Sequence, residues 1–184
     1  MPTVNDANGT PMRVRDNGFA LNYAVTITME SHAAHSGNAY SLVYNIDPNV
    51  VGDFLYIKNS SDMPLRIYNI HGFTTGTAGA ITIKTGVTGT PTTGISITPV
   101  NSLVGSGNTA EGTFNRNTSA ASMALTGGNT YDVLQLQSAS TGNQYSFNGE
   151  ISIEKNQTFV LTNAVDPTAV MTFVVYFYYH EDVE

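Results

Sequence analysis

Apolar and polar residues alternate along much of this chain, and residues 168–179 form its most apolar segment. A strand there would place a purely apolar set on one face: Met171, Phe173, Val175 and Phe177. Its second face would carry valines and tyrosines with one threonine: Val170, Thr172, Val174, Tyr176 and Tyr178. We predict a central strand in which the core covers the first face and either another layer of the fold or another subunit covers the second. The predicted oligomer interface consists of Val170, Val174, Tyr176 and Tyr178.

A second regular alternation covers residues 19–29 and predicts a half-buried strand. Its apolar face would be Phe19, Leu21, Tyr23, Val25, Ile27 and Met29. Residues 1–18 have no such period and are rich in Asn, Asp, Gly and Pro, so we predict an extended N-terminal arm there. We assign residues 19–184 to one β-sandwich domain.

Short apolar runs between turn-forming residues predict the remaining strands. These runs are residues 39–46, 53–58, 65–70, 80–84, 95–100, 111–115, 131–137, 150–154 and 158–161. The turn at residues 59–64 is expected to join 53–58 and 65–70 into an antiparallel pair. Residues 72–130 hold 11 of the 17 glycines and predict a loop-rich insertion without a core of its own.

The chain shows no convincing amphipathic helix, and residues 30–37 are predicted to be a connection between strands. Strands at roughly ten-residue spacing are typical of sandwiches and jelly rolls. The predicted fold class is therefore all-β, a single jelly-roll-like antiparallel β-sandwich with an N-terminal arm and long Gly/Thr-rich loops.

Composition narrows the possible functions. Only 11% of the 184 residues are charged and the net charge is −7, which disfavours nucleic acid because phosphate binding needs clustered Lys and Arg. The chain has no cysteine, so disulfides and thiolate metal sites are excluded. The first residues lack a basic and apolar leader, which predicts synthesis in a cytoplasm without a signal peptide. No apolar segment has the roughly 20 residues that a membrane-spanning helix needs.

Candidate chemistry is sparse. His32 and His35 are the best metal ligands, with His71 and His180 as possible partners, but no third ligand accompanies them at a zinc-site spacing. Glu150 and Glu154 would share a strand face, as a glycosidase pair could, yet solvent-facing alternation gives the same pattern. No nucleophile elbow or phosphate-binding loop occurs in the sequence. We therefore predict no enzyme activity, no cofactor and no metal site.

Three parts of the chain carry a family resemblance. The first comprises residues 35–41, 54–60 and 64–70, the second is the segment 151–161, and the third is the aromatic and acidic ending 177–182. Their order resembles small β-sandwich virion proteins of tailed bacteriophages, the capsid decoration (cement) and minor head proteins. In those proteins an alkyl-Lys-Asn strand leads to a hairpin, and the last strand ends in an aromatic and acidic tail.

The resemblance implies a jelly-roll-like protein that forms a homotrimer on a capsid surface, with the major capsid protein as its partner. The arm carries Arg13 and Arg15, two of only seven basic residues, and we expect these two to anchor the protein to its partner. A fibre module that recognises host glycans through Thr/Gly loops and tyrosines is one alternative. A single-jelly-roll coat protein that builds the shell itself is another.

Overall fold

Two antiparallel β-sheets pack face to face in the computed structural model. The structure describes residues 4–5, 11–12, 29–46, 51–74, 79–118, 121–136, 145–164 and 170–180. The elements are β1 Val4–Asn5, β2 Pro11–Met12, α1 Met29–Ser36, β3 Ala39–Ile46, β4 Gly52–Asn59, β5 Leu65–Thr74, β6 Gly79–Thr88, β7 Ile95–Ser96, β8 Val100–Asn101, β9 Gly112–Arg116, β10 Thr126–Leu136, β11 Tyr145–Ile153, β12 Thr158–Asn163 and β13 Met171–Tyr179. The predicted all-β sandwich is confirmed.

Strand pairing is nested along the sequence. β3 pairs with β13, β4 with β12, β5 with β11 and β6 with β10, all antiparallel. Further pairing gives the order β11-β5-β13-β3-β8 in the five-stranded sheet and β10-β6-β12-β4-β9-β7 in the six-stranded sheet. Successive long strands from β3 to β6 therefore alternate between the sheets, and each sheet combines strands from both halves of the chain.

Aromatic rings from both sheets meet in the core between them. Phe54 of the six-stranded sheet contacts Tyr44 and Phe173 of the five-stranded sheet, with ring centroids 4.9 Å and 5.3 Å away. Phe114 stacks on Phe177 at 5.5 Å, again across the two layers. These rings are almost fully buried, so the hydrophobic effect and close packing hold the sheets together.

The last strand lies in the middle of its sheet, as its sequence predicts. β13 is flanked by β5 and β3, and its first face is fully buried in the core. The predicted strand at residues 39–46 has the same bounds as β3. The other predicted strands correspond to β4, β5, β6, β9, β10, β11 and β12 with shifted ends.

Two predictions of local structure are wrong. Residues 53–58 and 65–70 do form strands, but β4 and β5 lie in opposite sheets and do not pair. The segment 30–37 is mostly helix, because α1 covers Met29–Ser36. Residues 19–28 of the predicted strand 19–29 lie outside the described residues. Its last residue, Met29, is the first residue of this helix.

The region 72–130 contributes to the core as well as to loops. Ile81 and Ile83 of β6 and Phe114 of β9 are buried between the sheets, contrary to the expectation that no segment there builds a core. The predicted strand 95–100 is instead two short strands, β7 and β8, in different sheets. Within the predicted arm, β1 and β2 pair with each other in a small separate sheet.

No helix in the described part of the chain is long and apolar enough to cross a membrane.

Candidate functional sites: an open sheet face and an end pocket

The first candidate site is the outer face of the five-stranded sheet, formed by the side chains of β3, β13 and β5 that point away from the core. The register of the paired strands determines which of these side chains lie side by side. Val174 lies between Val43 of β3 and His71 of β5, and Thr172 lies between Asn45 and Phe73. The outer face therefore carries apolar side chains on three neighbouring strands, with a polar pair among them, in which Thr172 Oγ1 donates to Asn45 Oδ1 at 3.0 Å.

A β-bulge in β5 shapes the aromatic part of this face. The register shifts beside Tyr176 and leaves Tyr68 as an extra residue in β5. Tyr68 consequently contacts two rings of β13, Tyr176 at 6.1 Å and Tyr178 at 5.7 Å between centroids. His71 packs edge-on against Tyr176 at 5.5 Å.

Helix α1 covers one end of the outer face. Ala33 is buried against Ala39 and Tyr178, and Tyr68 packs at the margin of this cluster. Alanine suits the contact because its small side chain allows the helix backbone to approach the sheet closely. Tyr178 is only 2% exposed in the single chain, so it is not available for the predicted subunit contact.

The other end of the outer face is open. Val43 is 51% exposed, Phe73 45% and Val170 39%, while Val174 and Tyr176 are half-buried. Three of the four predicted interface residues, Val170, Val174 and Tyr176, therefore lie on this surface, next to Val43 and Phe73. We call this end of the face the open apolar surface.

The second candidate site is a cavity of about 400 Å³ where β13 ends and β3 begins. We call it the end pocket. The buried side chains of Tyr40, Tyr179 and Ser61 form its inner part, and Met63 contributes from the β4–β5 connection. The remaining lining residues are Asn38, Gly107, Asn108, Thr109 and Glu111.

Hydrogen bonds hold the β8–β9 connection over the end pocket. The Tyr179 hydroxyl donates to the carbonyl oxygen of Glu111 at 2.8 Å. On the other side, Asn108 Nδ2 and Asn101 Nδ2 donate to the carbonyl oxygen of Gly37 at 3.3 Å and 2.8 Å. Because backbone oxygens accept these bonds, the Glu111 carboxylate is not used to hold the loop.

The two inner tyrosines are kept neutral. Burial raises the pKa of Tyr179, and the neighbouring Tyr40 and Glu111 raise it further. Burial also raises the pKa of Tyr40, with Glu111 adding to the shift and a hydrogen bond with Asn101 opposing it. The two rings meet edge to face at 5.9 Å. The pocket therefore combines neutral hydroxyls and aromatic surface inside with a carboxylate at its exposed rim.

The histidines of the sequence analysis do not converge. His32 and His35 lie on α1, where His35 Nδ1 is 2.7 Å from the Ser31 carbonyl oxygen. No group of three or more potential ligands that could hold a metal ion occurs among the described residues. Glu154 is exposed after β11 and accepts a hydrogen bond from Ser152 Oγ at 3.1 Å.

Several predicted positions lie outside what the structure describes. Arg13 and Arg15 are outside the described residues, as is the side chain of Glu150. The end pocket itself was not predicted, because four separate segments build it. Its sequence signal is limited to the polar residues Asn108, Thr109 and Glu111, which resemble the rest of the Thr/Gly-rich region.

Comparisons of this chain with protein-family models, curated proteins and solved structures find no match.

Proposed function

We propose that this protein is a non-enzymatic structural component of a virus particle, a capsid decoration protein that binds and stabilises a phage head. It would be made in the host cytoplasm, and its place of action would be the capsid surface. The open apolar surface carries the proposal. Contiguous apolar side chains at a protein surface mark interaction sites, because water contact with them is unfavourable.

The strand order supports a structural role. We interpret the nested pairing of β3 to β6 with β13 to β10 as a jelly roll, an arrangement found in viral capsid proteins and also in lectins and cupins. This is the fold that the resemblance to phage virion proteins implies. Among capsid proteins, lectins and cupins, the open apolar surface favours a capsid protein, because such a surface is suited to contact with another protein.

The proposed mechanism is adhesive. Copies of the chain associate through the open apolar surface, with a trimer as the expected state, and the N-terminal arm with Arg13 and Arg15 contacts the major capsid protein. Several weak contacts made by one linked assembly bind far more tightly than any single contact. A decoration protein can therefore hold neighbouring capsid subunits together without a deep interface.

Substitution of Val43 by Asp tests the contact. A carboxylate in the middle of a buried apolar interface would be desolvated without a partner, so Val43→Asp is expected to shift the protein to monomers in light scattering. Val133→Asp is the matched control, because Val133 is 44% exposed on a strand of the other sheet. A monomeric wild-type protein at micromolar concentration, or equal effects of the two variants, would contradict the proposed interface.

Two other structural roles remain as alternatives with distinct outcomes. A coat protein would assemble into closed shells without a second capsid protein. A fibre module would be found on tail or head fibres by antibody labelling of particles in electron microscopy. Labelling spread over the head surface, together with no self-assembly into shells, is the result expected for a decoration protein.

A further inference from the structure

The end pocket has the construction of a binding site and plays no part in the adhesive role proposed above. Its volume of about 400 Å³ falls within the ~300–1,000 Å³ typical of small-ligand sites. It lies where β3 begins and β13 ends, on the core side of the sheet to which Tyr40 and Tyr179 point, whereas the open apolar surface is on the outer face of these strands. A ligand could therefore occupy it in an assembled oligomer.

The rim of the pocket is held in place before any ligand binds. Tyr179 fixes the Glu111 end of the β8–β9 connection, and Asn108 and Asn101 fix its middle through Gly37. Binding a ligand then costs little additional ordering of the protein, which favours affinity.

The lining favours a ligand with many hydroxyl groups. The carboxylate of Glu111 can only accept hydrogen bonds, whereas the Ser61 and Thr109 hydroxyls and the Asn38 amide can donate and accept. A sugar hydroxyl also donates and accepts, so it can pair with both kinds of group. The inner rings of Tyr40 and Tyr179 offer apolar surface to the C–H groups of a sugar.

The charge of the pocket lining favours a neutral sugar over an acidic one. Glu111 is the charged group among the described lining residues, none of which is Lys or Arg, and the whole chain carries −7. A sugar carboxylate or phosphate placed there would be repelled by Glu111, and no described lining residue would offer it a positive charge. We propose that the end pocket binds one neutral saccharide unit, with Glu111 as the acceptor for its hydroxyl groups.

Two substitutions separate binding from folding. Glu111→Gln keeps the size of the side chain and the backbone oxygen that Tyr179 needs, but removes the charge that strengthens a hydrogen bond from the ligand. Gly107→Tyr fills the pocket, and a Cβ at Gly107 meets no atom within 4 Å. The matched controls are Asp132→Asn, a partly exposed carboxylate at the opposite edge of the six-stranded sheet, and Val104→Tyr on the same connection at a 97% exposed position.

The probes are glucose, galactose and N-acetylglucosamine as neutral sugars and N-acetylneuraminic acid as an acidic one. Saturation-transfer NMR detects binding, and titration calorimetry measures affinity on full-length protein. We expect at least one neutral sugar to bind, a loss of at least tenfold in affinity with Glu111→Gln, and no detectable binding with Gly107→Tyr. Both controls should bind like the wild type.

The outcomes that overturn the inference are equally definite. They are no binding of any neutral sugar, tighter binding of the acidic sugar, or wild-type affinity in Glu111→Gln. If Gly107→Tyr does not fold, Glu111→Gln decides the question alone, because its exposed side chain is not needed for folding. A negative result leaves the capsid role standing, since that role depends on Val43 and its neighbours.

Discussion

Gly72 lies directly opposite Phe173 in the pairing of β5 with β13, and a methyl group on Gly72 would fall 2.4 Å from the Phe173 ring. The glycine is required by space, since the ring occupies the position that a side chain would take. The Phe173 ring also contacts Phe54 of the other sheet at 5.3 Å. Gly72 thus allows the central aromatic contact between the two layers.

We predict that Gly72→Ala lowers the free energy of unfolding by about 1–3 kcal/mol, the usual cost of overpacking a core. Phe173→Ala should cost about 3–5 kcal/mol, because it leaves a cavity. Gly107→Ala is the matched control and should stay within about 0.5 kcal/mol, since its site is open. Urea unfolding of the three variants measures these differences.

The double variant Gly72→Ala with Phe173→Leu checks the mechanism. The smaller Leu side chain gives the new methyl group room, so the two changes together should cost less than the sum of their separate costs. Strictly additive costs would show that the clash between these two residues is not the reason for the glycine.

A second prediction concerns Asp53, a buried carboxylate of the six-stranded sheet. Asp53 Oδ1 accepts a 2.6 Å hydrogen bond from Thr162 Oγ1 and lies 3.5 Å from Lys84 Nζ, while its Oδ2 accepts from the Leu125 N–H at 3.2 Å. It therefore ties β12, β6 and the segment before β10 to β4.

Asp53→Ala should lower the free energy of unfolding by about 2–4 kcal/mol, because three donors lose a charged acceptor in a largely buried place. Asp62→Ala removes a carboxylate of the same kind from an exposed ion pair with Lys155 and should cost at most about 0.5 kcal/mol. Thermal and urea unfolding compare the two. Similar losses for both variants would mean that Asp53 does not link the strands energetically.

A third prediction concerns Tyr179 and pH. Its folded-state pKa is raised by burial, so the folded protein holds the phenolic proton more tightly than the unfolded chain, whose tyrosines have a pKa of about 10. The resulting stability is complete below that pH. It is lost as the pH rises from there through the folded-state pKa.

At pH 7, Tyr179→Phe should cost about 0.5–1.5 kcal/mol, because the hydrogen bond to the Glu111 carbonyl is removed. Above pH 10 this difference should shrink by up to ~1.4 kcal/mol per pH unit, because only the wild type carries the titrating group. Urea unfolding at pH 7 and pH 11 tests this. An unchanged difference between the two pH values would contradict the role assigned to the phenolic proton.

A fourth prediction concerns the N-terminal arm. Deletion of residues 2–16 removes β1 and β2, which pair with each other and belong to neither large sheet, so the melting temperature should change little. The same deletion removes Arg13 and Arg15 and should reduce affinity for particles stripped of this protein at least tenfold, about 1.4 kcal/mol. Unfolding of the truncated protein, or wild-type retention on the particles, would show that the arm is not the anchor.

The alternation of apolar and polar residues along the sequence was sufficient to predict the all-β fold class. For β13, it was also sufficient to predict which side chains face the core. A strand exposes alternate residues to opposite faces, so the buried set from Met171 to Phe177 follows directly from the residue types. The central place of β13 also follows, because both of its faces are rich in apolar residues.

Only the tertiary structure decided which strand pairs with which. β4 and β5 are close in sequence and joined by turn-forming residues, yet each pairs with strands far along the chain. The same alternating pattern suits a hairpin and a crossing between layers, because it records burial and not the identity of the neighbour. Helix α1 is a similar case, since its contact is made by small alanines whose burial depends on Tyr178.

One candidate site could be predicted in part from the sequence, whereas the other could be found only in the tertiary structure. The apolar second face of β13 could be read from the sequence, but the covering of Tyr178 by α1 could not. The end pocket was beyond sequence reasoning, because Tyr40, Ser61, Glu111 and Tyr179 come from four separate segments. Each residue has an ordinary local pattern, and only the packing of β3, β13 and the two connections brings their hydroxyls and the carboxylate to one cavity.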